Sequence, residues 1–229
     1  MIDQHTPVIT VDGPSGAGKG SICHLLAVNL GFHYLDSGAL YRLLALAAKR
    51  HRVDLTSIES LLVLAAHMDI SFEMNEQSTA KAILEGEDVS ILIRSEDIGV
   101  NASIIAAYPK IRTALLGRQH AFSQPPGLVA DGRDMGTIVF PNADAKIFLT
   151  ASAEVRAKRR YKQLMGKDKG VSLAALVEQV EERDERDATR KSSPMIPAQD
   201  AIIIDSSSMS IDEVLKLGLE IAKKNGIQP

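Results

Sequence analysis

The chain has 229 residues, 45% of them hydrophobic and 24% charged, a composition typical of a globular protein with one substantial core. Its formal net charge of −3 argues against a general nucleic-acid binder, because such proteins depend on a strong positive field. No stretch reaches the ~18 uninterrupted apolar residues of a membrane span, and the N-terminus lacks the basic-then-apolar order of a signal peptide. We therefore expect a cytoplasmic protein without a membrane partner.

The N-terminal segment is predicted to form a strand, a loop and a helix. An apolar run at 8–11 stops at Asp12-Gly13-Pro14, which predicts a short buried strand. After a glycine-rich turn, apolar residues recur at helical spacing from Lys19 until Gly31. The only cysteine, Cys23, lies in this helix, where packing is its expected role and an intramolecular disulfide is excluded. Further elements are predicted at 32–35 (strand), 37–49 (helix capped by Asp36 or Ser37) and 58–66 (helix).

The middle of the chain changes character. Short strands at 70–73 and 80–84 surround the polar turn 75–79, and residues 85–88 supply a further turn, which predicts a small antiparallel segment at about 68–95. Helical patterns return at 96–107 and 109–122, with Pro109 acceptable at a first helical position. Two core strands follow at 128–130 and 146–149.

The C-terminal part begins with a basic helix at 153–164, followed by the sequence GKDKG at 166–170. A long helix at 172–189 ends in the charged run ERDERDATR, and a strand at 201–204 precedes a closing amphipathic helix at 211–224. Strands that alternate with helices predict an α/β fold with a parallel sheet covered on both faces.

A phosphate-binding motif lies between the first strand and the first helix. Residues 13–19 match the spacing G-x-x-x-x-G-K. Glycines allow backbone N–H groups to face phosphate oxygens, the helix dipole adds attraction, and Lys19 can reach the β- and γ-phosphates. The plainer alternative is a tight turn with a solvated lysine. The predicted ATP-binding residues are Gly13, Pro14, Ser15, Gly16, Ala17, Gly18, Lys19, Gly20 and Ser21.

The motif departs from the usual pattern at one position. Gly20 stands where a Ser or Thr normally binds magnesium, and Ser21 comes one place later. We expect Mg²⁺ to accompany ATP and to be held mostly by phosphates and water. We assign no protein residue as a metal ligand. Asp131 and Asp134 are candidates for water-mediated contacts, with helix capping or turn formation as the alternative.

Several blocks together resemble bacterial cytidylate kinases: GPSGAGKGS at 13–21, LDSGALYR at 35–42, LEGEDVS at 84–90, ADGRDMGT at 130–137 and ERDERD at 182–187. The resemblance covers nearly the whole chain. It implies a single P-loop kinase domain over 1–229, with an acceptor-binding insert at about 68–105 and a lid at about 153–171. Insert and lid are expected to close over both nucleotides and to exclude water, which competes as an acceptor.

The resemblance also implies the residues that bind the acceptor nucleotide. Ser37, Tyr41 and Arg42 match positions near the acceptor phosphate and sugar, while Ser103 and Arg112 match base-reading positions. Arg133 is expected to bind the acceptor phosphate and Asp134 to hold the cytosine; Arg183, Asp187 and Arg190 match positions around the ribose and phosphate. The alternatives are capping or packing for Ser37 and Tyr41, and a solvated charge network for Arg183 and Arg190.

The basic helix is expected to carry further catalytic arginines. Helical spacing places Arg156, Arg159 and Arg160 on one face, and the resemblance implies that they fold over the ATP phosphates. The alternative is an exposed basic helix. Together with Lys19 and Arg133, these three form the predicted catalytic set.

The predicted reaction is ATP-dependent phosphorylation of CMP or dCMP by positioning and charge stabilisation. ATP and the acceptor are the expected partners, and the enzyme is expected to be a monomer that binds no nucleic acid. Two alternatives remain at this point: a kinase for another small acceptor such as UMP, AMP or shikimate, and a nucleotide-dependent switch that hydrolyses ATP slowly.

Overall fold

The computed structural model describes residues 5–74, 80–164, 172–190 and 193–228. The predicted polar turn at 75–79 and the GKDKG segment at 166–170 lie outside these ranges. The chain divides into two compact units, which we call the sheet unit (Met1–Leu35 with Phe122–Pro229) and the helical unit (Asp36–Ala121).

The strands and helices are, in chain order, β1 (Val8–Asp12), α1 (Lys19–Leu30), β2 (His33–Asp36), α2 (Ser37–Arg50), α3 (Ile58–His67), β3 (Ile70–Met74), β4 (Ala80–Leu84), β5 (Glu87–Asp88), α4 (Glu96–Ile105), α5 (Pro109–His120), β6 (Leu128–Asp131), β7 (Ala145–Thr150), α6 (Ala153–Leu164), α7 (Leu173–Ala188), β8 (Ile202–Asp205) and α8 (Ile211–Lys224). Most agree with the predicted elements within one or two residues.

The sheet unit is built on a sheet of strand order β2-β6-β1-β7-β8. The β1–β6, β1–β7 and β7–β8 pairs are parallel, and every residue of the central strand β1 is buried. Parallel register aligns Val11 with Asp131, so the carboxyl ends of β1 and β6 meet at one edge of the sheet. Ligands of open α/β sheets bind at this edge. The predicted fold class, a parallel sheet flanked by helices, is confirmed.

Hydrophobic packing fixes the first helix on the sheet. Ile22, Cys23 and Leu26 are buried in one cluster with residues of β1 and β7. Gly31 ends α1 in the left-handed conformation, and its N–H donates to the carbonyls of Ala27 and Val28, as expected for a glycine after a helix. Cys23 is buried, which agrees with the packing role predicted for it.

The helical unit has its own core, centred on α2. Leu43, Leu44 and Leu61 are fully buried there, together with side chains of α4 and α5. The side chain of Asp36 accepts a hydrogen bond from the N–H of Ala39, so Asp36 caps α2, and capping is not the role of Ser37. Pro109 occupies the first turn of α5, as predicted.

Three local features differ from the prediction. Residues 85–88 are not a single turn: Glu85 and Gly86, both at positive φ, form a two-residue loop, and Glu87–Asp88 pairs with β4 as a short strand. A single turn of 3₁₀ helix covers Leu92–Arg94. A π-helical turn covers Met135–Val139, directly after the predicted acceptor-binding residues Arg133 and Asp134.

Within the described ranges, every helix is too short or too polar to cross a membrane.

Candidate active site

The glycine-rich turn between β1 and α1, residues 13–18, has a backbone that only glycine can adopt at its first position. Gly13 has a φ of 138°, and a Cβ there would lie 2.0 Å from the backbone oxygen of Leu149. Gly18, at a φ of 100°, is the N-cap of α1 and offers no side chain to the first-turn amides. These amides and the positive end of the helix dipole therefore suit a phosphate group.

Lys19 directly follows this turn as the first residue of α1. Its side chain is buried, and its Nζ donates to the carbonyl of Pro14 at 3.1 Å. The Oδ1 of Asp131, at the end of β6, is 3.7 Å from the same Nζ. The ammonium group is thus held beside the turn by a backbone oxygen and a carboxylate. The alternative of a solvated lysine is wrong, because Lys19 is only 6% exposed.

Asp12, at the end of β1, organises the loop that follows β6. Its Oδ1 accepts the N–H of Met135 and its Oδ2 accepts the N–H of Gly136, each at 2.8 Å. These bonds hold the start of the π-helical turn next to Arg133 and Asp134. Burial raises the pKa of Asp12 to about 6, although the two backbone N–H groups lower it; Asp134 adds to the rise and Lys19 opposes it.

We expect Asp12→Asn to change the pH dependence of stability. The native carboxyl keeps its proton up to about pH 6, whereas the unfolded chain releases it near pH 4, so this group makes the wild-type protein less stable as pH rises through that window. The contribution amounts to about 3 kcal/mol. Denaturant unfolding at pH 4.5 and 7.5 captures about 2 kcal/mol of this contribution, because the carboxyl of the unfolded chain is already mostly ionised at pH 4.5. The free energy of unfolding of the variant, relative to wild type, rises by that amount between the two values. A difference that is independent of pH contradicts the assignment.

Arg133 is paired with α7. Its Nε donates to the Oδ2 of Asp187 at 3.0 Å. Burial disfavours the charged form of Arg133 and by itself would lower its pKa. The carboxylates of Asp187, Asp131 and Asp184 together outweigh burial, so the pKa of Arg133 is raised. Burial likewise opposes the charge of Asp187. The pKa of Asp187 is nevertheless lowered, and Arg133 makes the largest contribution to the lowering.

Further predicted acceptor-binding residues of the sheet unit lie around Asp187. The Nη2 of Arg190 is 3.7 Å from the Oδ1 of Asp187, and Arg183 contributes to the lowered pKa of that carboxyl. Asp187 is buried, and Arg183 and Arg190 are each partly buried. The alternative of a fully solvated charge network is therefore wrong for this cluster. Asp134 is also buried.

The predicted lid arginines contact the glycine-rich turn. Arg156 is buried and donates to the carbonyl of Ser15 at 3.2 Å. The Nη1 of Arg159 donates to the carbonyl of Ala17 at 3.0 Å, and its Nη2 donates to the carbonyl of Ser206 at 2.8 Å. Arg160 is half-buried on the same helix. A wholly exposed basic helix is therefore wrong for α6, while the contact of these arginines with ATP phosphates stays a prediction.

In the helical unit, the structure brings Tyr41 and Arg112 together. The guanidinium carbon of Arg112 lies 5.5 Å from the centre of the Tyr41 ring, and its Nη1 donates to the carbonyl of Ala106 at 3.2 Å. Arg42 donates to the carbonyl of Ile93 at 2.7 Å. Ser103 is partly buried on α4.

Ser37, at the start of α2, is buried and not solvated. Its hydroxyl donates to the Oε1 of Gln119 on α5 at 2.8 Å. Gln119 is 1% exposed, and no feature of the sequence had singled it out as a partner. Its position near the end of the helix predicted at 109–122 carried no signal, because pairing across 82 residues is decided by packing.

No cluster of three or more His, Cys, Asp or Glu side chains suited to a metal occurs in the part of the chain that the structure describes. Asp131 brings a carboxylate close to the glycine-rich turn, since its Oδ2 would lie 3.6 Å from a Cβ at Gly20. One carboxylate beside a phosphate-binding turn fits a Mg²⁺ ion that keeps most of its waters and binds chiefly to phosphates.

The fold and the glycine-rich turn define a P-loop nucleotide-binding protein, in which a phosphate-binding turn followed by a lysine connects the central strand of a parallel sheet to a helix. The family model for cytidylate kinase matches residues 9–224. The cytidylate kinase of Vibrio cholerae serotype O1 is 57% identical over 219 residues, which are 96% of this chain and 97% of that protein. The cytidylate kinase of Aeromonas hydrophila is 56% identical over 96% of each chain. The chain belongs to the cytidylate kinase family.

Similarity to solved structures is much weaker. A shikimate kinase from Acinetobacter baumannii, solved with shikimate, covers 98% of this chain and 97% of its own with 15% identity and a TM-score of 0.49. So low a score has no bearing on the acceptor of this chain.

Proposed function

We propose that this chain is an ATP-dependent kinase of CMP and dCMP, which forms ADP and CDP or dCDP. The observation that carries the proposal is the family match over residues 9–224, with curated cytidylate kinases 55–57% identical. An oxygen of the acceptor phosphate attacks the γ-phosphorus in line as the bond to ADP breaks. Since the acceptor itself is the nucleophile, no covalent enzyme intermediate is required.

The donor, ATP, binds with its phosphates in the glycine-rich turn. Backbone N–H groups among residues 15–21 hold the phosphate oxygens; Pro14 has no N–H and serves only to shape the turn. Lys19 neutralises the charge that develops as ADP leaves, and its buried position beside Pro14 and Asp131 makes this interaction strong. Mg²⁺ is the proposed divalent ion: it would neutralise charge on the phosphates, and Asp131 and Asp134 would hold it through water.

The acceptor phosphate binds to arginines of the sheet unit. Arg133, with Arg183 and Arg190 nearby, supplies forked donors that match phosphate oxygens and offset the repulsion between two polyanions. The Oδ2 of Asp187 accepts a hydrogen bond from the Nε of Arg133 at 3.0 Å, which orients the guanidinium. The same carboxylate can accept hydrogen bonds from the ribose hydroxyls. Ser37, Tyr41 and Arg42 of the helical unit are the further proposed contacts to phosphate and sugar.

The base is read by donors and acceptors that complement cytosine. Cytosine presents acceptors at O2 and N3 and a donor at N4, so its binding site needs a donor towards N3 and an acceptor towards N4. Arg112 provides only donors, whereas Asp134 and Ser103 provide acceptors. The insert at about 68–105 is proposed as the acceptor-binding segment.

The segment at about 153–171 is the proposed lid, which excludes water during transfer. Arg156, Arg159 and Arg160 lie on its described part. The contacts of Arg156 with Ser15 and of Arg159 with Ala17 support the proposal that these two bind the ATP phosphates, and Arg160 is proposed to join them. We also propose that the protein is a cytoplasmic monomer without a nucleic-acid partner. Light scattering coupled to size-exclusion chromatography tests the monomer.

A steady-state screen of acceptors with ATP tests the function. We expect CMP and dCMP to be preferred, UMP to be about tenfold to a hundredfold poorer because a buried polar group is left unpaired, and AMP and GMP to be very poor. Shikimate serves as the non-nucleotide control. Faster turnover of UMP, AMP or shikimate contradicts the cytidylate assignment, and ADP release that is unchanged by any acceptor favours a switch.

A further inference from the structure

Arg156 connects the glycine-rich turn to α7. Its Nη1 donates to the carbonyl of Ser15 in the turn, and its Nη2 donates to the Oδ2 of Asp184 on α7 at 2.5 Å. Its Nε is held by the carbonyl of Ala151 at 2.8 Å. The contact with the turn is tight, because a Cβ at Gly16 would lie 3.1 Å from the Cβ of Arg156. Because all three nitrogens of this buried, planar guanidinium have partners, we expect a shift of the Ser15 carbonyl to shift the contact with Asp184 as well.

Asp184 lies one helical turn before Asp187. Residues three apart share one face of a helix, so the partners of both carboxylates converge on that face. Asp187 holds Arg133, and Asp184 adds to the electrostatic stabilisation of the same guanidinium. The Oδ1 of Asp184 is shielded from solvent and has no hydrogen-bond partner among the described residues. Arg156 is therefore the hydrogen-bonded countercharge of this carboxylate, and Arg133 adds a further electrostatic contribution.

A continuous series of contacts therefore runs through the sheet unit. It leads from the Ser15 carbonyl through Arg156 to Asp184, and along one turn of α7 to Asp187 and Arg133. One end is the proposed site of the ATP phosphates, and the other is the proposed site of the acceptor phosphate.

We infer that Asp184 and Arg156 form a positioning pair, through which occupation of the glycine-rich turn by ATP raises the affinity of the α7 cluster for the acceptor. Asp184 is a positioning residue and touches neither substrate. The inference rests on the proposed function, because it needs ATP and CMP as the two ligands. By linkage the effect is reciprocal: CMP tightens ATP binding by the same factor.

Calorimetric titration measures this coupling directly. CMP and a non-hydrolysable ATP analogue are each titrated into the protein alone and in the presence of the other ligand. We expect the wild-type coupling factor to be about tenfold. In Asp184→Asn, which has nearly the same size but lacks the charge, we expect a factor of about two or less, with the affinity of the analogue for the empty protein changed by less than about twofold. The kcat/KM for CMP at saturating ATP falls about tenfold.

Glu185→Gln is the matched control. Glu185 is the exposed next residue of α7, so the substitution also removes one negative charge from that helix. The control keeps the wild-type coupling factor and kinetics. Arg156→Lys retains a charge but cannot reach both the Ser15 carbonyl and Asp184, and it also loses coupling. Combining it with Asp184→Asn adds little further loss, because the two residues act as one unit.

Three results with the variants overturn the inference. The first is a wild-type coupling factor in Asp184→Asn. The second is an equal loss of affinity for CMP and for the ATP analogue in that variant, together with a lowered Tm. The third is an additive loss of coupling when Asp184→Asn and Arg156→Lys are combined. Absence of coupling in the wild-type protein also overturns it while leaving the kinase assignment intact. Failure of the wild-type protein to phosphorylate CMP contradicts the proposed function itself, so the two failures are distinguishable.

Discussion

Lys19→Ala lowers kcat by about a thousandfold or more, since Lys19 supplies preorganised positive charge at the transferring phosphoryl group. The charge is placed before substrate arrives: Nζ is buried, 3.1 Å from the carbonyl of Pro14 and 3.7 Å from Asp131. Alanine removes the charge and leaves Asp131, an anion, beside the phosphates. A coupled ADP-release assay with saturating ATP and CMP measures the loss.

The fold of this variant is checked by its Tm and circular dichroism. Lys223→Ala, an exposed lysine in the last turn of α8, is the control for the loss of one lysine, and it keeps wild-type kcat. A folded Lys19→Ala protein with kcat near the wild-type value contradicts the role given to the glycine-rich turn.

Arg112→Met lowers kcat/KM for CMP by about a hundredfold, because a buried acceptor of the base is left without its donor. The guanidinium lies over the Tyr41 ring and donates to the carbonyl of Ala106, so its direction is fixed before substrate binds. Methionine keeps much of the length and apolar stem but provides no donor. The ratio of kcat/KM for CMP to that for UMP also falls towards unity.

Arg118→Met is the matched control on the same helix. The Nη2 of Arg118 donates to the carbonyls of Ala66 and Met68, so the control removes backbone contacts of a similar kind within the helical unit. It is expected to lower Tm without changing the CMP to UMP ratio. Unaltered CMP kinetics in Arg112→Met, or an equal change of the ratio in both variants, contradicts base reading by Arg112.

The sequence by itself predicted the regular elements and the phosphate-binding turn. Buried strand β1 and helices α1 and α6 follow from patterns within a dozen residues, and the bounds predicted for α6 coincide with those observed. The glycine-rich motif could be identified for the same reason: its function depends on backbone geometry and on one lysine six residues from its first glycine. Residue blocks along the chain likewise predicted the family that the comparisons confirm.

Sequence was less informative where positive φ or long-range contact sets the conformation. The loop Glu85–Gly86 was predicted as part of a longer turn, because the strand that follows is only two residues long and exists by pairing with β4. The π-helical turn at Met135–Val139 was not predicted. Its first two amides are held by Asp12, a residue 123 positions earlier in the chain.

Only the tertiary structure decided how the charged residues are paired. Sequence grouped Arg156, Arg159 and Arg160 by helical spacing, yet it could not show that Arg156 is buried between the Ser15 carbonyl and Asp184, 141 and 28 positions away. Nor could it separate Asp184 from the other acids of ERDERD, or show that Asp12 accepts two amides instead of only ending a strand. Periodicity shows which face of an element is apolar. The partner of a buried charge is set by the packing of elements that are distant in sequence. A desolvated charge is stable only where that packing supplies a countercharge or a hydrogen bond.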